Sequence, residues 1–432
     1  MSHFRAQAPS RPKRKWPLTG VAVVAVVALI FVLCWPTLVG ANRAIPASNP
    51  DSQFSLAVAT PEPVAPFDPV SMYVTSVLQE MSLEQKIRSL LVLHYPGTDV
   101  PSLQAFMAAH TPGGFILMGN NVPASPGELA ALAAALSLDP ELPAIVAMDE
   151  EGGFVTRLPY DTFAGAHTLR TEDPSATQAA FSGRGALLSS VGVNVNFGIV
   201  ADVTSDPQSF IFDRTFGDSP EQAALRVAEA VRGEKSLVAS TVKHFPGHGS
   251  TTGDSHISIP ATDMSLEQWW ATDAVPFAAG IDEGADLVMF GHLAFSAVDA
   301  VPASLSAAWH KILRDDLGFT GIAITDDMTM LQGSGLPEFS DPVENAIAAL
   351  AAGNDALLYV LAAHPSIDGI DPNAIVAGLV SAVQSGRIPE AQVEASALRV
   401  MTLRRAFAPD ALTWFPPCAA PCLKLLQVPH SN

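Results

Sequence analysis

Eight short apolar runs punctuate the middle of this 432-residue chain, with helix-like segments between them. They are SLLVLHY (89–95), GGFILMG (113–119), PAIVAMD (143–149), GVNVNFG (192–198), SLVASTVKH (236–244), DLVMFGH (286–292), GIAITDD (321–327) and DALLYV (355–360). Continuous apolar runs of this length suit strands buried on both faces, the condition of a parallel sheet. Ala-rich stretches such as SPGELAALAAALS (125–137), EQAALRVAEAVRG (221–233) and PVENAIAALAAG (342–353) supply the crossover helices. The alternation predicts an α/β fold of the (β/α)8 TIM-barrel type in a single domain. A doubly wound open sheet gives a similar pattern and is the alternative.

The barrel pattern does not begin at the N-terminus. Residues 1–17 carry Arg5, Arg11, Lys13, Arg14 and Lys15 and no acid. Leu18 to Val39 is uncharged and mostly apolar, long enough for one membrane-spanning helix of ~20 residues. Positive charge ahead of the span predicts a cytoplasmic N-terminus and an extracytoplasmic remainder. A cleaved signal sequence ending at Val39-Gly40-Ala41 is the rival, in which case the protein is secreted. Residues 40–70 hold Pro46, Pro50, Pro61, Pro63 and Pro66 and read as a semi-rigid linker. The folded domain is expected over 71–408, with a tail over 409–432. In the tail, Cys418 and Cys422 are candidates for a small disulfide outside the cell, and two cysteines alone do not complete a tetrahedral metal site.

Charge narrows the partners. The whole chain has 23 Lys+Arg against 43 Asp+Glu, and five of those cations precede the apolar span. The part beyond it is strongly acidic, which excludes a nucleic-acid binder needing a basic face. The only membrane contact expected is the N-terminal helix.

Polar residues gather where four of the runs end, at 148–157, 243–256, 291–292 and 325–330. In a barrel those ends build the active site. KHFPGHGSTTGDSH (243–256) places Lys243 and His244 at a strand end and a Gly-rich loop after them. Asp254 stands two residues before His256, close enough to orient the imidazole, favour its charged form and make it a proton donor. A solvated turn with incidental histidines is the bland reading. Metal binding by His244, His248 and His256 is a third, although Pro246 and the glycines oppose the helix that their spacing would need. Asp326 and Asp327 follow the apolar GIAIT. A carboxylate there is costly unless paired or functional, and Asp326 is the candidate nucleophile. A helix N-cap suffices to explain Asp327. Asp149 and Arg157 flank a two-glycine turn and are candidate hydroxyl-binding groups; a surface ion pair is the alternative.

The 243–256 string resembles the signature of glycoside hydrolase family 3 in its β-N-acetylglucosaminidase branch, Lys-His-Phe-Pro-Gly-His-Gly-Asp-Thr-x-x-Asp-Ser-His, with Ser250 where Asp is usual. MSLEQKI (81–87), MDEEGGFVTR (148–157), FDRTFG (212–217) and LRDDLGFTGIAITDDM (313–328) are similar to further pieces of that family in the same order. The resemblance spans roughly residues 72–407. It implies a retaining, exo-acting β-N-acetylhexosaminidase with Asp326 as nucleophile and His256, oriented by Asp254, as acid/base. Asp149, Arg157, Arg214, Lys243 and His244 match residues that hold the terminal sugar. No metal or organic cofactor is implied. The expected substrates are N-acetylglucosamine-containing glycans or muropeptides, in peptidoglycan or cell-wall turnover. A β-glucosidase-like or phosphorolytic enzyme of the same fold, and an inactive sugar-binding envelope protein, are the alternatives. Phe154 stands where the family commonly has Arg, and Arg88-Ser89 replace Gly-Gln.

Overall fold

The computed structural model describes residues 68–413. The basic segment, the apolar span at 18–39, nearly all of the linker and the cysteines of the tail lie outside the described residues. Among the described residues, no helix is long and apolar enough to cross a membrane.

All eight predicted runs form strands: β1 (Leu91–Leu93), β2 (Gly114–Leu117), β3 (Ile145–Met148), β4 (Val195–Val200), β5 (Ala239–Phe245), β6 (Leu287–Phe290), β7 (Ile322–Asp327) and β8 (Ala356–Tyr359). Each pairs in parallel with its neighbours in sequence. The β1–β8 pairing, Leu91 opposite Leu357 through Leu93 opposite Tyr359, closes the barrel. The open-sheet alternative fails at that pairing. A feature absent from the sequence reading is a two-stranded parallel pair, Ala261–Thr262 with Ala294–Phe295.

The alternation of side chains sorts the core. Ile116, Ala147, Phe197, Leu287, Met289 and Ile324 share one buried cluster with residues from every barrel strand. Their neighbours point the other way, toward helices: Phe115, Leu117 and Val146 into one packing layer, Val288, Phe290 and Ala323 into another. A strand's period of two requires this division, and both faces are apolar because both are covered.

Helix starts follow a local rule. Ser or Asp followed by Pro opens the helices Pro69–Glu80, Pro126–Ala135, Pro174–Ser190, Pro220–Glu234, Pro342–Ala352 and Pro372–Gln384. In each the Ser or Asp side chain accepts an N–H of the first turn, and proline gives up no helical bond at the first position.

One buried carboxylate ties the lower end of the barrel together. Asp355, 1% exposed, opens β8. It accepts from Ala323 N at 2.9 Å, Ser396 Oγ at 2.8 Å, Arg399 Nη1 at 2.9 Å and from Arg314. Strands β7 and β8 and the helix Glu390–Ala406 therefore share one anchor. Asp355→Ala leaves Arg314 without its carboxylate and should cost about 3–5 kcal/mol of stability, read as a lower denaturant midpoint.

Candidate active site

The C-terminal mouth of the barrel encloses a cavity of about 380 Å³. Asp149, Arg157, Arg214, Lys243, His244, His256 and Asp326 all line it, so the fold brings these residues together from five separate segments. Asp254 does not line it and acts on it through His256. Apolar side chains, among them Ile116, Val155, Met330 and Leu358, form the other wall.

Lys243 sits at the centre of the charged wall, 3% exposed along its side chain. Its Nζ lies 2.9 Å from Asp149 Oδ1 and 2.8 Å from Glu151 Oε1. Burial opposes its charge, but the two carboxylates outweigh burial and raise its pKa. Arg214 reaches Glu151 with two bonds, Nε at 2.9 Å and Nη2 at 2.7 Å. Arg157 contacts Asp149 at 3.4 Å. Burial pushes Glu151 up, yet Arg214 and Lys243 bring it down to about 2. Asp149 is likewise held below its usual range by Lys243 and Arg157 against burial. The wall is thus a chain of ion pairs, three cations bonded to two carboxylates, that still faces the cavity.

Register places these groups. The β5–β6 ladder shifts between Lys243 and Phe245, and irregularities of this kind re-aim side chains beside active sites. Consecutive residues Lys243 and His244 consequently both reach the cavity, where a regular strand would send them to opposite faces. The Lys243–His244 and Phe245–Pro246 peptide bonds are cis. After β3 the chain reverses at Gly152 and Gly153, with φ of +80° and +69°. A Cβ at Gly152 would lie 2.0 Å from Arg184 Nη2, so glycine is required there. Arg184 in turn pairs with Asp161 at 2.7 Å with both side chains fully buried, fixing the turn that presents Arg157.

His244 has one tautomer available. Nδ1–H donates to Asp202 Oδ2 at 2.7 Å, and Arg214 Nη2 donates to Nε2 at 3.3 Å. Burial, then Arg214 and Lys243, push its pKa well down, so the ring is neutral. Asp202, pushed up to about 6 by burial, also accepts from His248 N at 2.6 Å and so holds the start of the loop.

The loop carries the predicted pair. Asp254 Oδ1 lies 2.7 Å from His256 Nδ1 and also accepts His256 N at 2.9 Å. The His256 side chain is 60% exposed, unlike the rest of the site. Trp269 Nε1 donates to Pro246 O at 2.8 Å, and Ser250 Oγ donates to Asp273, so the loop is tied at its base while the His256 ring stands in solvent. The three-histidine metal reading fails on this geometry. His244 bonds Asp202 and Arg214, His248 bonds Ser255 and His256 bonds Asp254. Among the described residues, no group of three or more His, Cys, Asp or Glu side chains is arranged to hold a metal.

Opposite this loop, Asp326 is the second-last residue of β7. Burial raises its pKa, but His244 and His292, the N–H of Asp327 (2.8 Å to Oδ1) and Lys243 together hold it below the usual range. Asp327 is different. It accepts from Thr329 N at 3.0 Å and Val360 N at 2.9 Å and joins the ends of β7 and β8. It bonds the first turn as a cap does, but one position early, since Met328 occupies the cap of the helix Thr329–Gly333.

Sequence reasoning passed over Glu151, Asp202 and Phe210. Glu151 lay inside MDEEGGFVTR (148–157), and an acid two residues after Asp149 was a usable signal. His292 was noted at its strand end; it is buried, bonded to Ser304 Oγ at 2.7 Å and Asp327 O at 3.0 Å.

A parallel barrel with an ionised carboxylate facing a carboxylate-bound imidazole across a pocket of paired charges has the makings of a barrel hydrolase. Comparison with known proteins narrows the class. The family model described as "Glycosyl hydrolase family 3 N terminal domain" matches residues 82–403. A β-hexosaminidase of Methylococcus capsulatus is 36% identical over 269 residues, covering 59% of this chain and 77% of that one. A β-hexosaminidase of Xanthomonas axonopodis pv. citri is 32% identical over 293 residues, 64% of this chain and 84% of that one. The solved family 3 β-N-acetylglucosaminidase of a Paenibacillus species is similar with a TM-score of 0.69 and 32% identity, over 76% of this chain and 63% of that one. The chain belongs to glycosyl hydrolase family 3 and is a glycoside hydrolase.

Beneath the site, Asn196 of β4 links Glu150 to a second buried acid. Its Oδ1 accepts Glu150 N at 3.1 Å, and its Nδ2 donates to Glu234. Burial pushes Glu234 up to about 8. Its pKa is raised on folding, so its contribution is complete below the unfolded value near 4.5 and is lost as pH rises toward 8. Glu234→Gln mimics the protonated acid and should flatten this fall. The difference in urea midpoint between about pH 5 and about pH 9 should be smaller in the variant than in the parent.

Proposed function

We propose that this hydrolase is a retaining, exo-acting β-N-acetylhexosaminidase that removes terminal N-acetylglucosamine from β-linked glycans. The reading is carried by one observation: a half-buried carboxylate held in its ionised form, Asp326, and an exposed imidazole oriented by a carboxylate, His256 with Asp254, line the same cavity. The relatives named above supply the sugar class.

The steps follow from these groups. Asp326 attacks the anomeric carbon while the bond to the leaving oxygen breaks, giving a glycosyl ester. His256 gives its Nε2 proton to that oxygen, its Nδ1–H remaining on Asp254. The neutral imidazole then takes a proton from water, whose oxygen displaces Asp326 and restores the carboxylate. Most glycosidases use two carboxylates for this; here a histidine takes the place of the second. Asp149, Glu151, Arg157, Arg214, Lys243 and His244 hold the terminal sugar through charge-assisted bonds to its hydroxyls. The charged groups are already bonded to one another, so a neutral sugar joins the network without separating an ion pair.

The remaining parts of the proposal rest on sequence. Residues 18–39 anchor the chain in the cell membrane, with the barrel on the extracytoplasmic side. There the enzyme meets N-acetylglucosamine-bearing wall glycans, and its role is peptidoglycan turnover.

Asp326→Ala should lower turnover of 4-nitrophenyl N-acetyl-β-glucosaminide by at least about 10³-fold with the circular dichroism spectrum unchanged. Unchanged turnover would overturn the nucleophile, and preference for the 4-nitrophenyl glucoside would overturn the sugar. His256→Ala should slow an alkyl N-acetylglucosaminide by roughly 10²–10⁴-fold and the aryl one much less, because a good leaving group needs no proton. Equal slowing of both would count against His256 as the acid.

A further inference from the structure

One histidine of the loop has no role in the chemistry above. His248 is 2% exposed, yet it touches both halves of the site. Its backbone N–H donates to Asp202 Oδ1 at 2.6 Å, and Asp202 Oδ2 holds Nδ1 of His244 on the sugar wall. The His248 ring stands edge-on to the His244 ring, with centroids 6.0 Å apart. The Phe210 ring lies 5.6 Å from the His248 ring and also packs edge-on to His256 at 5.5 Å. The next residue, Gly249, is pressed against the segment that follows β4. A Cβ there would lie 1.9 Å from Val203 O, so only glycine lets the backbone that carries His248 come this close.

The hydrogen bonds of the ring lead to the acid/base pair. Thr251 Oγ1 donates to His248 O at 2.8 Å, so its oxygen is left to accept from His248 Nδ1–H at 3.3 Å. Burial, against the attraction of Asp202, lowers the pKa of His248, and the ring is neutral. Nε2 is then an acceptor, and Ser255 Oγ donates to it at 3.1 Å. Ser255 is 4% exposed and stands between Asp254 and His256 in the chain. A bond to its side chain therefore fixes the stretch of backbone from which both members of the pair project into more open space. Asp254 orients the imidazole, but it sits on that same short stretch and cannot place the stretch over the cavity. His248 can, because its own backbone is bonded to Asp202, outside the loop.

We propose that His248 is a positioning residue for the proton transfer: through Ser255 it holds His256 over the leaving oxygen, and through Asp202 it ties that placement to His244, which holds the sugar. The inference deepens the reading of His256 as the acid and rests on it. Placement matters because a shift of about 1 Å, caused by a change away from the reacting atoms, can cost on the order of 10²-fold in rate. A buried neutral imidazole suits the task, since it offers one donor and one acceptor in fixed directions and both are engaged.

The test compares kcat/KM of the full chain and its variants on methyl and 4-nitrophenyl N-acetyl-β-glucosaminide, because kcat/KM reads the step in which the proton is given to the leaving oxygen. His248→Ala and Ser255→Ala should each slow the methyl glycoside roughly 10–100-fold and the aryl glycoside much less, the pattern expected of His256→Ala. His248→Gln keeps an acceptor for Ser255 and should recover part of the loss. Adding either alanine change to His256→Ala should slow the methyl glycoside no further, because changes that act through one group do not add. Ser255→Ala removes a single hydroxyl and carries the test if His248→Ala does not fold. With His256→Ala itself selective for the methyl glycoside, equal slowing of both substrates by Ser255→Ala, or no slowing of either, would overturn the positioning role and spare the acid. A double variant slower than His256→Ala alone would do the same. Equal slowing of both substrates by His256→Ala would overturn the acid, and the positioning role with it.

Discussion

The position of Lys243 organises this active site. An ammonium buried to 3% is tolerable only if opposite charge surrounds it, and Asp149 and Glu151 do so at 2.9 and 2.8 Å. Those two acids then need Arg157 and Arg214, and Arg214 in turn fixes the Nε2 side of His244. Each member is acceptable because its neighbours are charged, so the wall stands or fails as a unit. The barrel makes this possible by bringing the ends of β3 and β5 together, 94 residues apart in the chain.

The site combines a rigid half with a more open one. Asp326, Asp149 and Lys243 sit at strand ends that the closed ladder holds in place. Asp254 and His256 sit on a loop held at its base through Asp202, Trp269 and Asp273 and along its length by the His248–Ser255 bond, with the His256 ring itself exposed. That division suits the chemistry. Nucleophile and sugar ligands must keep fixed geometry, while a proton donor at the mouth must let an aglycone enter and leave.

Much of the fold was legible in the chain. Six of the eight strands fall within the apolar runs and the other two, β4 and β5, overrun theirs by one or two residues, since a strand covered on both faces must be largely apolar. Ser-Pro and Asp-Pro pairs mark the helix starts. The short pair Ala261–Thr262 with Ala294–Phe295 was not legible, because two residues carry no period and their pairing depends on where two loops meet. Within the site, Asp326, His256 with Asp254, Asp149, Arg157, Lys243 and His244 were visible as polar residues at or just after strand ends, Arg214 only through the family resemblance, and all but Asp254 line the one cavity. Glu151 and Asp202 were overlooked: each is an acid beside other polar groups, and nothing local distinguishes an acid that faces a buried lysine from one that faces water.

The sequence alone determined the order of strands and helices and the chemical types at each strand end, because these follow from local hydrophobicity and from short-range bonds within a turn. It also contained the Asp254–His256 pair, two residues being short enough for the carboxylate to reach the ring without help from the fold. Tertiary structure decided closure, through the β1–β8 register, and with it which acid meets which base. It made Asp327 a brace between β7 and β8 and left Asp326 facing the cavity. It also turned Lys243 and His244 toward the same space. These outcomes depend on ladder register and on burial from distant segments, and a register is a property of two strands together, not of either one.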